Sequence, residues 1–274
     1  MDSKVITKKQ DLTWLSWSTI RNSSGTAGSF LKATSNLYGK KIYYKLSAFD
    51  SMNGVIGHES VNEIIVDRLL TLFGIDHVSY QLIHADVLIQ DKIYDTWVCA
   101  SEDFKVKDDK KIALDAYFQL ERNPGESPLD FCIRKGWGKY IWEMLVVDYI
   151  ILNRDRHGAN IEVLRNKKEQ YTKLAPLFDH GLSLIFTCQN VNSVLATDVL
   201  EDKRVQCFVG SMSAFANLKL IPEKEFPHIN CLTESDKDVL FDGLDQVLGK
   251  EWLDKIWEMI WKRWNIYENL CNQK

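Results

Sequence analysis

The sequence predicts one α+β domain with two lobes, a small strand-rich lobe over residues 1–104 and a mainly helical lobe over residues 105–274. Up to about residue 104 the short apolar runs are of strand type, and after that point helical spacing takes over. Neither a linker rich in Gly, Ser or Pro nor a repeat of 20–50 residues divides the sequence. A chain of 274 residues can bury roughly three quarters of its unfolded surface, so its size does not require a disulfide or a structural metal.

In the first lobe three short runs have the composition of strands: residues 40–47, 80–89 and 92–100. Gln90 and Asp91, between the last two runs, predict a hairpin turn. One helix is predicted over residues 58–73, and Gly74 is placed to end it in the left-handed conformation. The first lobe is therefore expected to combine a sheet with one helix.

In the second lobe the spacing of apolar residues predicts a helix over residues 139–152, followed by a polar loop. Two short strand-type runs, residues 161–164 and 171–174, flank the charged turn 165–170 and predict a hairpin. A last helix is predicted over residues 251–270. Its tryptophans and aliphatic residues cover most of its surface, which predicts packing against the protein, and its few lysines argue against a helix lying on a membrane.

Composition and charge exclude several classes of protein. The net charge is −4, with 45% hydrophobic and 26% charged residues, which is typical of a soluble globular chain and not of a disordered or collagen-like one. No stripe of Lys and Arg is present, so we expect no direct binding of nucleic acid. No apolar run approaches the ~20 residues of a membrane helix, and the N-terminus lacks the apolar run of a signal peptide, so we expect a cytoplasmic protein without membrane contact. The six cysteines lack C-x-x-C spacing and are expected to be buried, while His157 and His180 are expected to order loops and not to bind metal.

The densest polar cluster is the segment 153–160, between an apolar helix and an apolar strand. Asp155 and Asn160 in this segment and Asp179 further on give the order D-x-x-x-x-N, hairpin, D-x-G. In phosphoryl transfer one carboxylate orients the attacking hydroxyl, while an amide oxygen and a second carboxylate hold Mg²⁺ against the phosphates. The pattern D-x-x-x-x-N alone is expected about once in such a chain and carries little information. The ordered set as a whole favours phosphoryl transfer over a solvated loop.

Upstream, small and hydroxyl-bearing residues concentrate in one loop segment: Ser23, Ser24, Gly25, Thr26, Gly28 and Ser29. Such a loop lets backbone N–H groups approach phosphate oxygens, although a plain surface turn has a similar composition. Lys45 lies in a predicted strand, and Glu63 starts an apolar row of the predicted helix. A lysine and a glutamate placed in this way position the α- and β-phosphates in kinase-like sites. The alternatives are a solvated lysine and a glutamate at the rim of the helix.

Residues 142–164 (WEMLVVDYIILNRDRHGANIEVL) and 174–181 (LAPLFDHG) resemble the catalytic core of the HipA-like serine/threonine kinases, most closely a compact branch of that family. The resemblance extends weakly over most of residues 20–190. It implies a two-lobed protein-kinase-like fold in a bacterial enzyme. It also implies transfer of a phosphoryl group from ATP, with Mg²⁺, to a serine or threonine hydroxyl of a protein substrate.

The resemblance implies a role for each residue that matches the family pattern. Asp155 would be the catalytic aspartate, and Asn160 and Asp179 would be the metal ligands. Lys45 would bind the phosphates of ATP, with Glu63 as its partner on the helix.

For ATP binding the resemblance adds the Gly-rich loop and the connector between the lobes, residues 98–104, with Glu102 and Phe104. A serine of the loop is often autophosphorylated in this family, which inactivates the enzyme, and Ser23 and Ser24 lie in that region. Full-length HipA proteins carry an extra N-terminal subdomain that contacts an antitoxin. Because only residues 1–20 precede the loop here, we expect this subdomain to be missing and any antitoxin or inhibitor to be encoded separately.

Other functions stay open on the sequence alone. Phosphatidylinositol kinases also use a D-R-H-x-x-N loop and a following aspartate-glycine element, but they usually present basic residues to the lipid, and no strong basic run follows Asp179. A small-molecule phosphotransferase shares the same core chemistry. A pseudokinase or a regulatory binding protein is expected to lack an essential group, and none is missing from the pattern.

Overall fold

The computed structural model of the protein describes residues 4–18 and 30–272. The strands are β1 (Val5–Asp11), β2 (Lys32–Leu37), β3 (Lys40–Leu46), β4 (Phe49–Asp50), β5 (Gly54–Val55), β6 (Tyr80–Ile89), β7 (Lys92–Glu102), β8 (Lys110–Ala113), β9 (Asp155–Arg156), β10 (Glu162–Asn166), β11 (Tyr171–Leu174) and β12 (Gln206–Cys207). The helices are α1 (Glu59–Phe73), α2 (Leu114–Glu121), α3 (Pro128–Arg134), α4 (Gly138–Ile150), α5 (Val191–Leu195), α6 (Ala214–Leu218), α7 (Asp236–Phe241) and α8 (Lys250–Asn272). Short 3-10 turns lie at Gly158–Asn160 and Glu223–Glu225.

The first part of the chain forms a five-stranded sheet in the order β1-β6-β7-β3-β2. Strand β1 runs parallel to β6, and the other neighbours are antiparallel. Gln90 and Asp91 have φ of 50° and 61°. Positive φ at both central residues is the mark of a type I′ turn, whose twist matches that of the flanking strands. The predicted hairpin is confirmed, whereas β1 and β2, which are largely polar, have no counterpart in the prediction.

Helix α1 packs against the sheet and also against the helical part of the chain. It ends at Gly74, which has a φ of 72°, as predicted. The side-chain amide of Asn62 donates a hydrogen bond of 2.9 Å to the carbonyl oxygen of Gly181. Near the other end of the helix, Arg68 Nη1 donates a 2.8 Å bond to the carbonyl oxygen of Leu240. Hydrogen bonds at both ends therefore anchor α1 to the second part of the molecule.

Helix α4 lies at the centre of the second part, and most of its residues are buried, as expected of a helix that is apolar on nearly all faces. Helix α8 packs across α1 and α4. The ring of Trp264 stacks on that of Phe73 with centroids 5.2 Å apart, and Arg263 Nη1 donates a 3.1 Å bond to the carbonyl oxygen of Tyr149. The predicted packing of the last helix is confirmed.

A three-stranded sheet of the order β11-β10-β8 lies in the second part. Its β10–β11 hairpin, with Leu164 opposite Lys173, confirms the prediction. Strand β8 has no counterpart in the prediction. It pairs with β10, with Ile112 opposite Val163, so its conformation depends on a partner strand distant in sequence.

Three of the six cysteines, Cys99, Cys132 and Cys188, are buried as predicted. Cys207 and Cys271 are half-buried and Cys231 is exposed, which corrects the expectation for these three residues. In the part of the chain that the structure describes, no helix has the length and apolar character needed to cross a membrane.

Candidate active site

A cavity of about 750 Å³ lies between the five-stranded sheet and the loops of the helical part. Four of the predicted site residues line it: Lys45, Glu102, Phe104 and Asp179. This volume is within the usual range for sites that bind small molecules and cofactors. Residues far apart in the sequence therefore share one cavity.

Lys45 lies near the end of β3, opposite Cys99 of β7. Its Nζ is 2.8 Å from Glu63 Oε1, and it also contacts an oxygen of Asp179. Burial by itself lowers the pKa of Lys45, but the carboxylates of Asp179 and Glu63 outweigh it and raise the pKa above its ordinary value. The ammonium group is therefore charged at neutral pH and held between two carboxylates.

Glu63 is fully buried on α1. One of its carboxylate oxygens binds Lys45, and the other accepts a 2.9 Å hydrogen bond from the backbone N–H of His180. A buried carboxylate is costly unless it is paired and hydrogen-bonded, and here both oxygens have partners. The predicted lysine–glutamate pair is present, and Glu63 does not lie at a solvated rim.

The D-x-G element has a constrained backbone. Asp179 has a φ of 60°, and its N–H donates a 3.3 Å hydrogen bond to Tyr80 Oη. Burial raises the pKa of Tyr80 well above its ordinary value, so its hydroxyl stays protonated. A Cβ at Gly181 would lie 3.1 Å from the Cβ of Glu59, so glycine allows α1 to pass close to this segment.

Asp155 and Asn160 form a hydrogen-bonded unit within the loop that follows α4. Asn160 Nδ2 donates a 2.8 Å bond to the backbone carbonyl oxygen of Asp155 and lies 3.3 Å from Asp155 Oδ2. The N–H of Asp155 donates a 3.1 Å bond to Asn153 Oδ1. Asn160 is buried and Asp155 is half-buried, so the structure holds both side chains in defined positions.

A buried ion pair between Asp148 and Arg156 supports this loop, and sequence reasoning missed it. Arg156 Nε and Nη2 each donate a 2.9 Å bond to a carboxylate oxygen of Asp148. Burial alone lowers the pKa of Arg156, but Asp148 raises it above its ordinary value. Arg156 Nη1 also donates to the carbonyl oxygens of Asn160 at 3.2 Å and Phe178 at 3.0 Å. The signal available in the sequence was an aspartate inside an apolar helix, because a buried carboxylate needs a partner.

His157 orders its loop through a side-chain hydrogen bond, as expected, whereas Nε2 of His180 has no hydrogen-bond partner among the described residues. His157 Nδ1 accepts a 3.2 Å hydrogen bond from the N–H of Ala159, so the neutral ring carries its proton on Nε2, which is 3.5 Å from Asp155 Oδ1. His180 is fully buried. Burial, with the nearby charge of Arg156, lowers the pKa of His180 well below its ordinary value, so the ring is neutral at physiological pH.

The connector residues contribute to the cavity in different ways. The side chain of Glu102 is 59% exposed and lies 2.8 Å from Lys40, so the backbone of Glu102 is the part that can face a ligand. The ring of Phe104 lies 3.8 Å from Lys111 Nζ and 5.8 Å from the ring of Phe178. The predicted loop residues lie outside the described residues: Ser23, Ser24, Gly25, Thr26 and Gly28.

The predicted metal ligands supply oxygen donors. Mg²⁺ in phosphoryl-transfer sites is held by one or two carboxylates and completes its coordination with water and substrate phosphates. Asp179 offers a carboxylate at the cavity wall, and Asn160 offers an amide oxygen on the adjoining loop. Across residues 4–18 and 30–272 there is no group of three or more His, Cys, Asp or Glu that could hold a metal ion. The residues present fit Mg²⁺ bound together with a nucleotide.

The fold and the side chains around the cavity define a two-lobed, kinase-like protein. No protein-family model and no curated protein matches the sequence. Among solved structures, the proinflammatory kinase CtkA of Helicobacter pylori is similar, with a TM-score of 0.60, 16% identity and coverage of 96% of each chain. The compact branch that the sequence resembles includes this Helicobacter kinase. The likeness shows that the chain has the predicted two-lobed kinase fold.

Two more distant structures also align with the chain. HipA of Shewanella oneidensis MR-1, solved with HipB and its operator DNA, has a TM-score of 0.42 and 14% identity, over 90% of this chain and 58% of that chain. The Golgi casein kinase with Mn/ADP bound has a TM-score of 0.43 and 11% identity, over 90% of this chain and 71% of that chain. Both likenesses are too distant to carry structural detail to this protein.

Proposed function

We propose that the protein is an ATP- and Mg²⁺-dependent serine/threonine protein kinase of the HipA-like type. The observation that carries this proposal is Lys45, held between Glu63 and Asp179 at the wall of a nucleotide-sized cavity. Kinase sites use a strand lysine with a helix glutamate to position the α- and β-phosphates, and the aspartate of a D-x-G element to hold the metal.

In this function the nucleotide occupies the 750 Å³ cavity. Lys45 binds its α- and β-phosphates, and Glu63 keeps the ammonium in place. Phe104 and the backbone of Glu102 contact the base. From the sequence, the Gly-rich loop with Ser23, Ser24, Gly25, Thr26 and Gly28 is expected to bind the phosphates through its backbone N–H groups.

Phosphoryl transfer then requires one carboxylate near the acceptor and oxygen ligands near the phosphates. Asn160 and Asp179 would hold Mg²⁺, which would supply positive charge to the phosphate oxygens. The acceptor hydroxyl oxygen forms a bond to the γ-phosphorus, the bond from that phosphorus to the β,γ-bridging oxygen breaks, and ADP leaves with the bond electrons. The hydroxyl proton passes to the carboxylate of Asp155, a residue whose backbone N–H donates a hydrogen bond to Asn153 Oδ1.

The acceptor is expected to be a serine or threonine hydroxyl of a protein. Loop autophosphorylation on Ser23 or Ser24, a separately encoded antitoxin or inhibitor, and a cytoplasmic location stay predictions from the sequence.

The decisive experiment offers radiolabelled ATP and Mg²⁺ to the purified protein with three kinds of acceptor: the protein itself, a set of generic proteins, and vesicles that contain phosphatidylinositol. We expect transfer to protein and none to lipid. Asp179→Asn should lose transfer, while Asp254→Asn, the same change at an exposed position of α8, should keep it.

Each outcome of that experiment separates the candidate functions. Label in lipid alone would favour the phosphatidylinositol-kinase alternative. No transfer to any of these acceptors, in a protein that still binds ATP, would favour a small-molecule phosphotransferase, a pseudokinase or a binding protein.

A further inference from the structure

A second cavity, of about 460 Å³, lies beside the loop that carries Asp155. It shares no lining residue with the nucleotide cavity. Its lining combines two arginines and a histidine with apolar and small residues: Arg154, His157, Gly158, Arg204, Val205, Gln206, Cys207, Phe208 and Met212. The proposed mechanism uses none of the residues that line this second cavity.

One wall of this cavity is joined directly to the backbone of Asp155. Strands β9 and β12 are parallel, with Gln206 opposite Asp155. The N–H of Gln206 donates a 3.0 Å bond to the carbonyl oxygen of Arg154, and that of Phe208 donates a 2.9 Å bond to the carbonyl oxygen of Arg156. Paired strands lie about 4.8 Å apart and rise about 3.3 Å per residue. A substrate side chain bound in this cavity would therefore belong to a residue about one to three positions from the substrate residue whose hydroxyl lies at Asp155.

The cavity carries positive charge that the described part of the protein does not neutralise. Its lining contains no Asp or Glu, and neither Arg154 nor Arg204 makes an ion pair with any described residue. Asp155 Oδ1 lies 3.5 Å from His157 Nε2, and two carboxylates just before Arg204 have other partners: Glu201 lies 3.6 Å from Lys203, and Asp202 accepts hydrogen bonds from Ser213 Oγ and a backbone N–H.

Arg154 is also partly desolvated. Burial lowers its pKa, with the charge of Glu201 opposing that change, yet an arginine stays protonated at any physiological pH. Its Nε donates to the backbone carbonyl oxygen of Arg204, which sets the guanidinium at the cavity wall. A guanidinium forms bidentate hydrogen bonds with carboxylate or phosphate, and these are stronger than neutral hydrogen bonds.

The apolar part of the lining favours a polypeptide over a free ion. Val205 is buried, Phe208 is half-buried, and Met212 is 59% exposed at the edge of the cavity. Such a surface packs against the methylene groups of a side chain while the arginines bind its charged end.

We infer that this cavity binds an anionic side chain of the polypeptide substrate, a carboxylate or a phosphorylated residue, close to the acceptor hydroxyl. The inference rests on the proposed kinase function and adds a substrate class to it. The preferred acceptor is thus a serine or threonine with an acidic neighbour.

The test uses a positional-scanning peptide library. Each peptide has one Ser or Thr acceptor and degenerate flanking positions. One flanking position at a time is fixed as Asp, phosphoserine, Ala or Lys. Radiolabel transfer from ATP is measured for each set. We expect Asp or phosphoserine at one or two positions within three residues of the acceptor to raise kcat/KM roughly tenfold or more over Ala, as expected for a hydrogen bond to a charged group. Lys at the same positions should lower it. The ratio of the Asp and phosphoserine sets distinguishes a carboxylate from a phosphate as the preferred group.

Variants then link the preference to the cavity. Arg204 is exposed, so Arg204→Glu is expected to fold, and it should reduce the acidic preference to a ratio near one or reverse it toward Lys. Arg204→Lys should retain most of the preference. Lys224→Glu, the same charge change at an exposed position outside the cavity, should retain all of it.

Two results would overturn the inference while the kinase function stands: peptide transfer with no preference for flanking charge, or an acidic preference that survives Arg204→Glu. If neither peptides, proteins nor the enzyme itself accept phosphate, the kinase function fails and this inference fails with it.

Discussion

Arg156 Nη1 donates a 3.0 Å hydrogen bond to the carbonyl oxygen of Phe178, and this bond joins the loop that carries Asp155 to the segment that carries Asp179. The same guanidinium is bound through two other nitrogens to the carboxylate of Asp148 on α4. A single buried ion pair thus fixes the loop of Asp155 and the segment of Asp179 relative to each other and to the central helix.

Replacing Arg156 by alanine should destabilise the protein by about 3–5 kcal/mol, because it leaves the carboxylate of Asp148 buried without its cationic partner. The free energy of unfolding, measured in urea, tests this. The matched control is Lys40→Ala, which removes an exposed ion pair with Glu102 and should cost less than about 1 kcal/mol. A loss below about 1 kcal/mol for Arg156→Ala would show that the ion pair does not support the fold.

ATP with Mg²⁺ should raise Tm, because a ligand that binds only the folded state stabilises it by about 2.7 kcal/mol at a hundredfold excess over Kd. For a chain of this size that corresponds to roughly 5–10 °C. Asp179→Ala should remove the part of the shift that depends on Mg²⁺, which is measured as the difference between scans with and without EDTA. The absence of any shift with the wild-type protein at millimolar ATP and Mg²⁺ would count against the proposed function.

Asp155→Asn should lower phosphoryl transfer by roughly 10²–10⁴-fold, the usual contribution of a positioned acid–base group. The Kd for ATP should change by no more than a few-fold, because Lys45, Asn160 and Asp179 are unchanged. Single-turnover transfer and nucleotide titration measure the two quantities separately. If the purified variant keeps more than about a tenth of the wild-type rate, Asp155 takes no part in the chemistry.

Ser23 or Ser24 should become phosphorylated when the protein is incubated with ATP and Mg²⁺. A phosphate there adds up to two negative charges next to the nucleotide phosphates, so the affinity for ATP should fall. Peptide mass spectrometry identifies the site, and a double Ser23→Ala, Ser24→Ala variant provides the control for affinity. Phosphate found only on other peptides would refute this regulatory role and leave the kinase function intact.

Acid should destabilise the protein through His58, which precedes α1 and is buried. Burial lowers the pKa of its imidazole to about 4 from the ordinary 6.5. Below pH 6.5 the unfolded chain binds a proton that the folded chain does not, so stability falls as the pH drops from 6.5 to about 4, by up to about 1.4 kcal/mol per pH unit. Between pH 7 and pH 5 the wild type should lose about 2 kcal/mol relative to His58→Leu. Parallel pH profiles for the two proteins in urea unfolding would exclude His58 as the source.

The local features of this protein are determined by the sequence itself. Three features depend only on residues close by in the sequence. They are the turn at Gln90 and Asp91, the end of α1 at Gly74, and the burial of the residues on the face of α1 that starts at Glu63. Periodicity and turn chemistry operate over such distances, so these features could be predicted. The order of the site residues along the chain, together with the resemblance to a kinase core, also predicted that Lys45 and Glu63 would meet.

Only the tertiary structure decided the contacts between distant segments. The pairing of β8 with β10, the bond from Arg156 to Phe178, and the placement of Arg154 beside Arg204 each join residues 22 or more positions apart. No local pattern encodes them, because each depends on which buried polar group finds a partner once the apolar surfaces of α1, α4 and α8 have packed. A buried charge or an unpaired N–H is costly in any arrangement, and the packed fold determines which residue satisfies it.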